Sequence, residues 1–260
     1  MYRPRVIPCL LLKGQGLVKT VKFSSPTYIG DPMHAVHLFN DFNADELLLL
    51  DINASLENRC ISIDLVREIG EEANMPFSVG GGITTLDQIQ QLLEAGAERV
   101  VLGSIAALNP SFVKEASECF GKSTIAVCID VKRSFFGKQK VAFRNGKQTI
   151  ASPVVHYAKH IESMGAGELL IQSVDRDGTY QGLDQHLLLN ITKEVSIPIT
   201  GLGGLSSLEE IKAHHPILKL NGYGAGSLFV YQGKGLNPHP GKHRGVLINY
   251  PTRVELRGFF

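Results

Sequence analysis

Four aspartates stand where a chain could do acid–base chemistry. Asp51, Asp130 and Asp175 each close a short apolar run, and Asp177 follows in the segment DRDGT. Asp130 comes after IAVCI, so an apolar wall is expected to raise its pKa toward the range that suits proton transfer. For Asp51 and Asp175 an equally good reading is structural, because a carboxylate that accepts backbone N–H groups organises a loop. Glycines and serines form a second set: Gly80-Gly81-Gly82, Gly103-Ser104, Gly203-Gly204 and Gly226-Ser227 each follow an apolar run. A glycine turn that opens a helix exposes backbone N–H groups where the helix dipole favours an anion, and serine adds a hydroxyl donor. Any one of these runs is explained by a tight turn. As pairs they suggest two phosphate cradles, and hence a ligand with a phosphate at each end. His239 and His243 are four apart but lie in a Pro- and Gly-rich stretch, so a solvated loop is the better reading and no metal is expected.

These residues must be held by elements, and the apolar runs supply them. Eight occur: Val6–Leu11, Leu47–Leu50, Phe77–Val79, Val100–Leu102, Ile125–Ile129, Leu169–Ile171, Ile197–Ile199 and Gly224–Leu228. Between them lie segments with apolar residues at helical spacing, such as Thr85–Ala95 and Ser152–Met164, the latter opened by Ser152 as N-cap and Pro153 at the first helical position. Eight strands alternating with helices over 260 residues predict a single closed (β/α)8 barrel. An open doubly wound sheet is disfavoured by the missing G-x-G-x-x-G after the first strand. The motifs also repeat in order: Asp51 to Asp175, Gly82 to Gly204 and Ser104 to Ser227 are 124, 122 and 123 residues apart. That constancy predicts two half-barrels, about 1–120 and 121–260. Asn145-Gly146, between β-like runs, predicts a small hairpin after the fifth strand, over the catalytic face. The stretch Gly233–Gly245 reads as a loop. The first strand, in IPCLLLKGQGLVKT, runs into a glycine and lysine loop, yet its tip is Leu10-Leu11-Leu12, with no acid, base or nucleophile.

Bulk properties narrow the function classes. With 43% hydrophobic residues the chain can bury a sizeable core, and a net charge of +1 gives no overall electrostatic case for nucleic acid or an anionic membrane. No apolar run reaches the ~18 residues of a membrane span, and the N-terminus lacks a signal-peptide pattern. Cys9, Cys60, Cys119 and Cys128 show no C-x-x-C spacing and are expected to be reduced core residues of a cytoplasmic protein.

Nearly the whole chain resembles the cyclase subunit family of imidazole glycerol phosphate synthase. RVIPCL, GDP at 30–32, DELLLLDINAS, PFSVGGGI, TIAVCIDVKR, GAGELL, SVDRDGT and GLGG correspond in order. The resemblance implies a (β/α)8 barrel with two phosphate sites and a glutaminase partner whose ammonia travels through the barrel core. It implies that a bisphosphorylated ribulosyl nucleotide is converted into imidazole glycerol phosphate and an aminoimidazole ribonucleotide, with no cofactor. Expected ligand-binding residues are Lys19, Asp51, Gly82, Gly103, Ser104, Asp175, Asp177, Gly178, Gly203, Gly204, Gly226 and Ser227. The family carries two catalytic aspartates. Asp130 matches the second, whereas Leu11 occupies the first; Gly103 replaces an asparagine and Leu202 a serine. The family's ring of charges at the ammonia entry matches Arg5, Glu46, Arg99 and Glu168, where arginine stands for the usual lysine. A retained entry with an altered catalytic pair resembles a divergent branch associated with surface-polysaccharide amidation, and the opening IPCLLLKGQGLVKT and the ending INYP strengthen that likeness. On this reading the chain serves a glutaminase and a sugar amidotransferase, and a phosphorylated small molecule is its ligand; the alternative is a working cyclase of histidine biosynthesis.

Overall fold

The computed structural model describes residues 3–231, 246–252 and 255–256. The chain opens with β1 (Arg5–Lys13), β2 (Gly16–Val21), β3 (Ser24–Gly30) and α1 (Pro32–Asp41). Next come β4 (Leu47–Asp51) with α2 (Ile63–Glu72), β5 (Phe77–Gly80) with α3 (Leu86–Glu94), and β6 (Arg99–Leu102) with α4 (Ser104–Leu108) and α5 (Ser111–Phe120). β7 (Ile125–Arg133) runs into β8 (Gln139–Phe143) and β9 (Gln148–Ile150) before α6 (Val154–Ser163). β10 (Glu168–Ser173) with α7 (Gln185–Thr192), β11 (Ile199–Leu202) with α8 (Leu208–Leu218), and β12 (Gly222–Ala225) with α9 (Ser227–Val230) follow. Strands β1, β4, β5, β6, β7, β10, β11 and β12 pair in parallel, and β12 returns to β1, so the sheet closes into the eight-stranded barrel that the alternating pattern predicts.

Closure creates two apolar regions, because successive strand residues point to opposite faces. Val6, Leu10 and Leu12 of β1 face outward and join the shell between strands and helices. Ile7, Cys9 and Leu11 face inward and meet Leu48, Val101, Ala126, Leu170 and Leu202 from other strands. The helices are oriented by ordinary end signals. Thr85 and Gln88 form a reciprocal capping box at the start of α3, within the helical segment expected there.

Several expectations shift. The seventh strand begins at Ile199 rather than Ile197, since Pro198 has no N–H to donate and contributes its carbonyl to Leu169 instead. The eighth run divides: Gly222–Ala225 is strand, and Ser227 already starts a helix. Helix α6 starts at Val154 with Pro153 in the capping position, and the Ser152 side chain does not cap it. The glycine and lysine loop after β1 is a pair of antiparallel strands, with Lys19 inside β2. The hairpin at Asn145-Gly146 is present, with both residues at positive φ as such a turn requires. Cys119 is exposed rather than part of the core, and the four cysteines are unpaired thiols. Residues 233–245 lie outside the described residues. No described helix is long and apolar enough to cross a membrane.

Candidate active site

At the C-terminal ends of the barrel strands lies a cavity of about 1200 Å³, counting its open mouth. Asp130 is one of its lining carboxylates, with Asp51 and Asp177. Alternation along β7 turns Ala126, Cys128 and Asp130 inward, so the group sits directly above the apolar interior. Burial pushes its pKa up to about 7, the nearby Asp177 charge acts in the same direction, and the Cys128 thiol, 3.6 Å away, opposes them by donating to Oδ1. A carboxyl poised near neutrality can both take and return a proton. The thiols around it are poor nucleophiles, since burial raises Cys9 to about 11 and holds Cys128 well above its ordinary value.

Lys19 reaches the same cavity from β2. It is buried, and its Nζ donates to the Cys9 carbonyl at 2.6 Å. Burial lowers its pKa. Gly226 makes room for it: a Cβ there would lie 1.8 Å from Nζ. Asp177 faces Lys19 and accepts from the Thr20 hydroxyl at 2.9 Å and from Gln172 Nε2 at 3.3 Å. Its pKa is nevertheless raised, because burial outweighs those partners.

The other expected residues divide between lining and support. Leu11, Gly82, Gly103, Ser104, Gly178, Gly203, Gly204, Gly226, Leu202 and Ser227 all border the cavity. Ser104 and Ser227 begin helices α4 and α9, neither of which has a side-chain cap. Gly82 has φ of 62°, and a Cβ on it would lie 1.8 Å from the Arg59 carbonyl oxygen, so close loop packing also demands glycine there. Asp51 borders the cavity but is fully committed, accepting from the backbone N–H groups of Asn53 and Ala54 and from Arg59 Nη1 at 2.6 Å. Asp175 is not among the cavity-lining residues; it accepts from the Arg133 backbone N–H at 2.7 Å. Sequence reasoning missed Thr20, Gln172, Asn145 and Tyr180, which also line the site. Tyr180 donates its hydroxyl to the Ser227 carbonyl at 2.8 Å, and burial raises its pKa to about 12. Its place immediately after DRDGT is the signal that could have flagged it. Among the described residues no cluster of His, Cys, Asp and Glu could hold a metal.

The opposite end of the barrel carries a closed ring of charge. Arg5 donates to Glu46 and to Glu168 at 2.6 Å each. Arg99 donates to the same two carboxylates, at 3.2 Å in the case of Glu46. Ser78 and Thr200 hydroxyls donate to Glu46 and Glu168, so each buried carboxylate has three partners. The two carboxylates hold Arg5 above its ordinary pKa although burial acts to lower it. Between ring and cavity stand the apolar inward residues Ile7, Leu48, Ala126 and Leu170, while Val101 and Leu202 of the same cluster border the cavity itself.

Residues 5–235 match the family described as histidine biosynthesis protein. The chain is 37% identical over 210 residues to imidazole glycerol phosphate synthase subunit HisF of Alkaliphilus metalliredigens, covering 81% of this chain and 83% of that one. It is 40% identical, over the full length of both chains, to a protein of Leptospira interrogans provisionally given the same name. A Pseudomonas aeruginosa protein provisionally named as the subunit hisF2 is 39% identical, covering 98% of this chain and 99% of that one.

Proposed function

The chain belongs to the histidine biosynthesis protein family as a HisF-like subunit of the imidazole glycerol phosphate synthase type, and from that membership we propose that it is the ammonia-using subunit of a glutaminase complex. In this reading a phosphorylated ligand lies in the cavity, its phosphates on the paired turns at Gly82, Gly103 and Ser104 and at Gly204, Gly226 and Ser227. Asp130 moves the proton, with Lys19 and Asp177 binding polar groups of the ligand. Ammonia enters at the ring of Arg5, Glu46, Arg99 and Glu168 and crosses the apolar interior, which admits a small neutral molecule and rejects ammonium. The observation that supports the reading is that one barrel holds a charged ring, an inward-facing apolar cluster and a carboxyl with a pKa of about 7. The names of the relatives favour the cyclase reaction as the chemistry at Asp130.

One observation favours a second outcome. Leu11 borders the cavity where the family places its other acid, and leucine neither gives nor takes a proton. The ammonia would then serve a sugar amidotransferase of surface-polysaccharide synthesis. Complementation of a histidine auxotroph that lacks the cyclase separates the two. Robust growth supports the cyclase reading. No growth, together with glutamine-dependent ammonia release by the complex with its glutaminase, supports delivery to another protein. Failure to associate with any glutaminase or to release ammonia overturns both.

A further inference from the structure

The ribbon made by the end of β7 with β8 and β9 is charged unlike the chain as a whole. Between Val131 and Ile150 there are six cations, Lys132, Arg133, Lys138, Lys140, Arg144 and Lys147, and no aspartate or glutamate, in a chain with net charge +1. Of the six, only Arg133 has a carboxylate partner among the described residues, Asp184 at 2.9 Å. The turn at the tip carries Phe135 and Phe136, 99% and 87% exposed, with their rings edge to face at 5.6 Å. Two consecutive bare aromatic rings are unfavourable in water.

The tip is a built feature. The Ser134 N–H donates to the Lys138 carbonyl and the Gly137 N–H to the Ser134 carbonyl, each at 2.8 Å, and Gly137 takes the positive φ of 76° that the turn needs. Below it, Arg133 and Gln139 both donate to the buried Asp184, at 2.9 and 3.2 Å. The Arg133 backbone is tied to Asp175 as well. The ribbon is therefore braced on the barrel, with its phenylalanines bare at one turn while Asn145, at the other turn, lines the cavity.

We infer that this tip is a peripheral anchor for an anionic lipid bilayer. The two rings enter the boundary between headgroups and acyl chains, while the lysines on both strands face lipid phosphates. A bilayer fits better than a protein partner because it receives a protruding apolar tip without supplying a shaped pocket, and because the cations flank the rings on both sides with no acidic residue among them. The chain's near-neutral total is no obstacle, since a membrane reads charge within about one Debye length of its surface. The inference is independent of which acceptor receives the ammonia.

The test uses the full-length protein and vesicles of phosphatidylcholine with and without phosphatidylglycerol. Wild type is expected to co-sediment with the anionic vesicles and to be released by salt. Phe135→Ser with Phe136→Ser is expected to weaken binding by about tenfold per ring. Lys138→Glu with Lys140→Glu should weaken it by about fivefold or more per residue. These side chains are exposed, so circular dichroism should match wild type. The chain has no tryptophan, so Phe136→Trp provides a single reporter whose emission should shift to the blue on anionic vesicles alone. Unchanged binding by the double serine variant, unchanged emission, or no wild-type binding to either vesicle overturns the proposal. Capture of a protein by wild type but not by the serine variant, with the vesicles ignored, also overturns it and assigns the tip to a protein contact.

Discussion

Asp130 is a carboxyl whose surroundings favour its protonated form, and this has consequences for stability as well as chemistry. Native Asp130 keeps its proton up to a pH of about 7, whereas the unfolded chain releases it near the ordinary value of 3.8. Between those values the native state binds more protons, so this group's contribution to stability is full below the lower pKa and is lost as pH rises through 7. Asp130→Asn should therefore be more stable than wild type by roughly 1–3 kcal/mol at pH 8, discounted for the solvent that reaches the cavity, with the gap closing toward pH 4. Denaturant midpoints across that range check it, and a constant gap would place the shift elsewhere. The same substitution should lower amination by about 10²–10⁴-fold, the usual loss with a general acid or base, in an assay supplied with ammonium salt. Leu11→Asp tests the other wall: cyclase activity should rise if the missing acid is what limits it, and no change would implicate Gly103 and Leu202, which border the same cavity. Asp130 was legible because an apolar run ending in aspartate describes its own environment. Asp175 and Asp177 were not separable in DRDGT, since only the short turn of residues 174–176 decides that one braces the ribbon and the other meets Lys19.

At the scale of elements, the strands that sequence periodicity marks are those buried on both faces, where an unbroken apolar run is the signature. The pair β2 and β3 was missed because β3 is mostly exposed and polar, with the burial pattern of an edge ribbon. The boundary between β12 and α9 was missed because the short run Gly224–Leu228, Gly-Ala-Gly-Ser-Leu, carries no periodicity that distinguishes strand from helix. We read the chain as two repeat-related half-barrels. At the glycine turns that this proposal pairs, Gly81 and Gly82 have φ of 137° and 62°, and Gly203 and Gly204 have 91° and 95°. These turns make a prediction of their own. Gly82→Ala drives a Cβ against the Arg59 carbonyl at a φ that alanine avoids, and Gly204→Ala does the same to the Gly182 carbonyl, 2.4 Å away. Each should cost about 2–4 kcal/mol and loosen one phosphate turn. If the two turns hold the two ends of one ligand, each variant should also weaken binding of a bisphosphorylated ligand more than that of inorganic phosphate, as read by calorimetry. Equal losses for both ligands would mean the turns act separately.

The whole molecule is organised along the barrel axis, and its two ends make different demands. The cavity end needs open space, a titratable acid and mobile ligands. The ring end is closed by four charges in mutual contact, each carboxylate held by both arginines and by one hydroxyl. A ring of that kind is tolerable when buried only because every charge is paired, and removing one member strands the others. Arg5→Ala deletes one partner of Glu46 and one of Glu168, so a loss of stability of about 3 kcal/mol is expected, read from the denaturant midpoint. A structural ring predicts nothing more. A ring that is also the mouth of an ammonia passage predicts uncoupling. Docking of a glutaminase should survive, because the outer rim keeps exposed groups such as Glu98, whose charge can still steer association. Glutamine would still be hydrolysed, but water would reach the interior, ammonia would escape or be protonated, and less would arrive at Asp130. The measurement is the ratio of glutamate formed to acceptor aminated, taken at a temperature where the variant stays folded. The ratio should rise in Arg5→Ala and in Glu168→Ala, and added ammonium salt should restore amination, since the cavity itself is untouched. An unchanged ratio in both variants would mean that ammonia takes another route, and the ring would then be understood as the cap that closes the barrel's lower end.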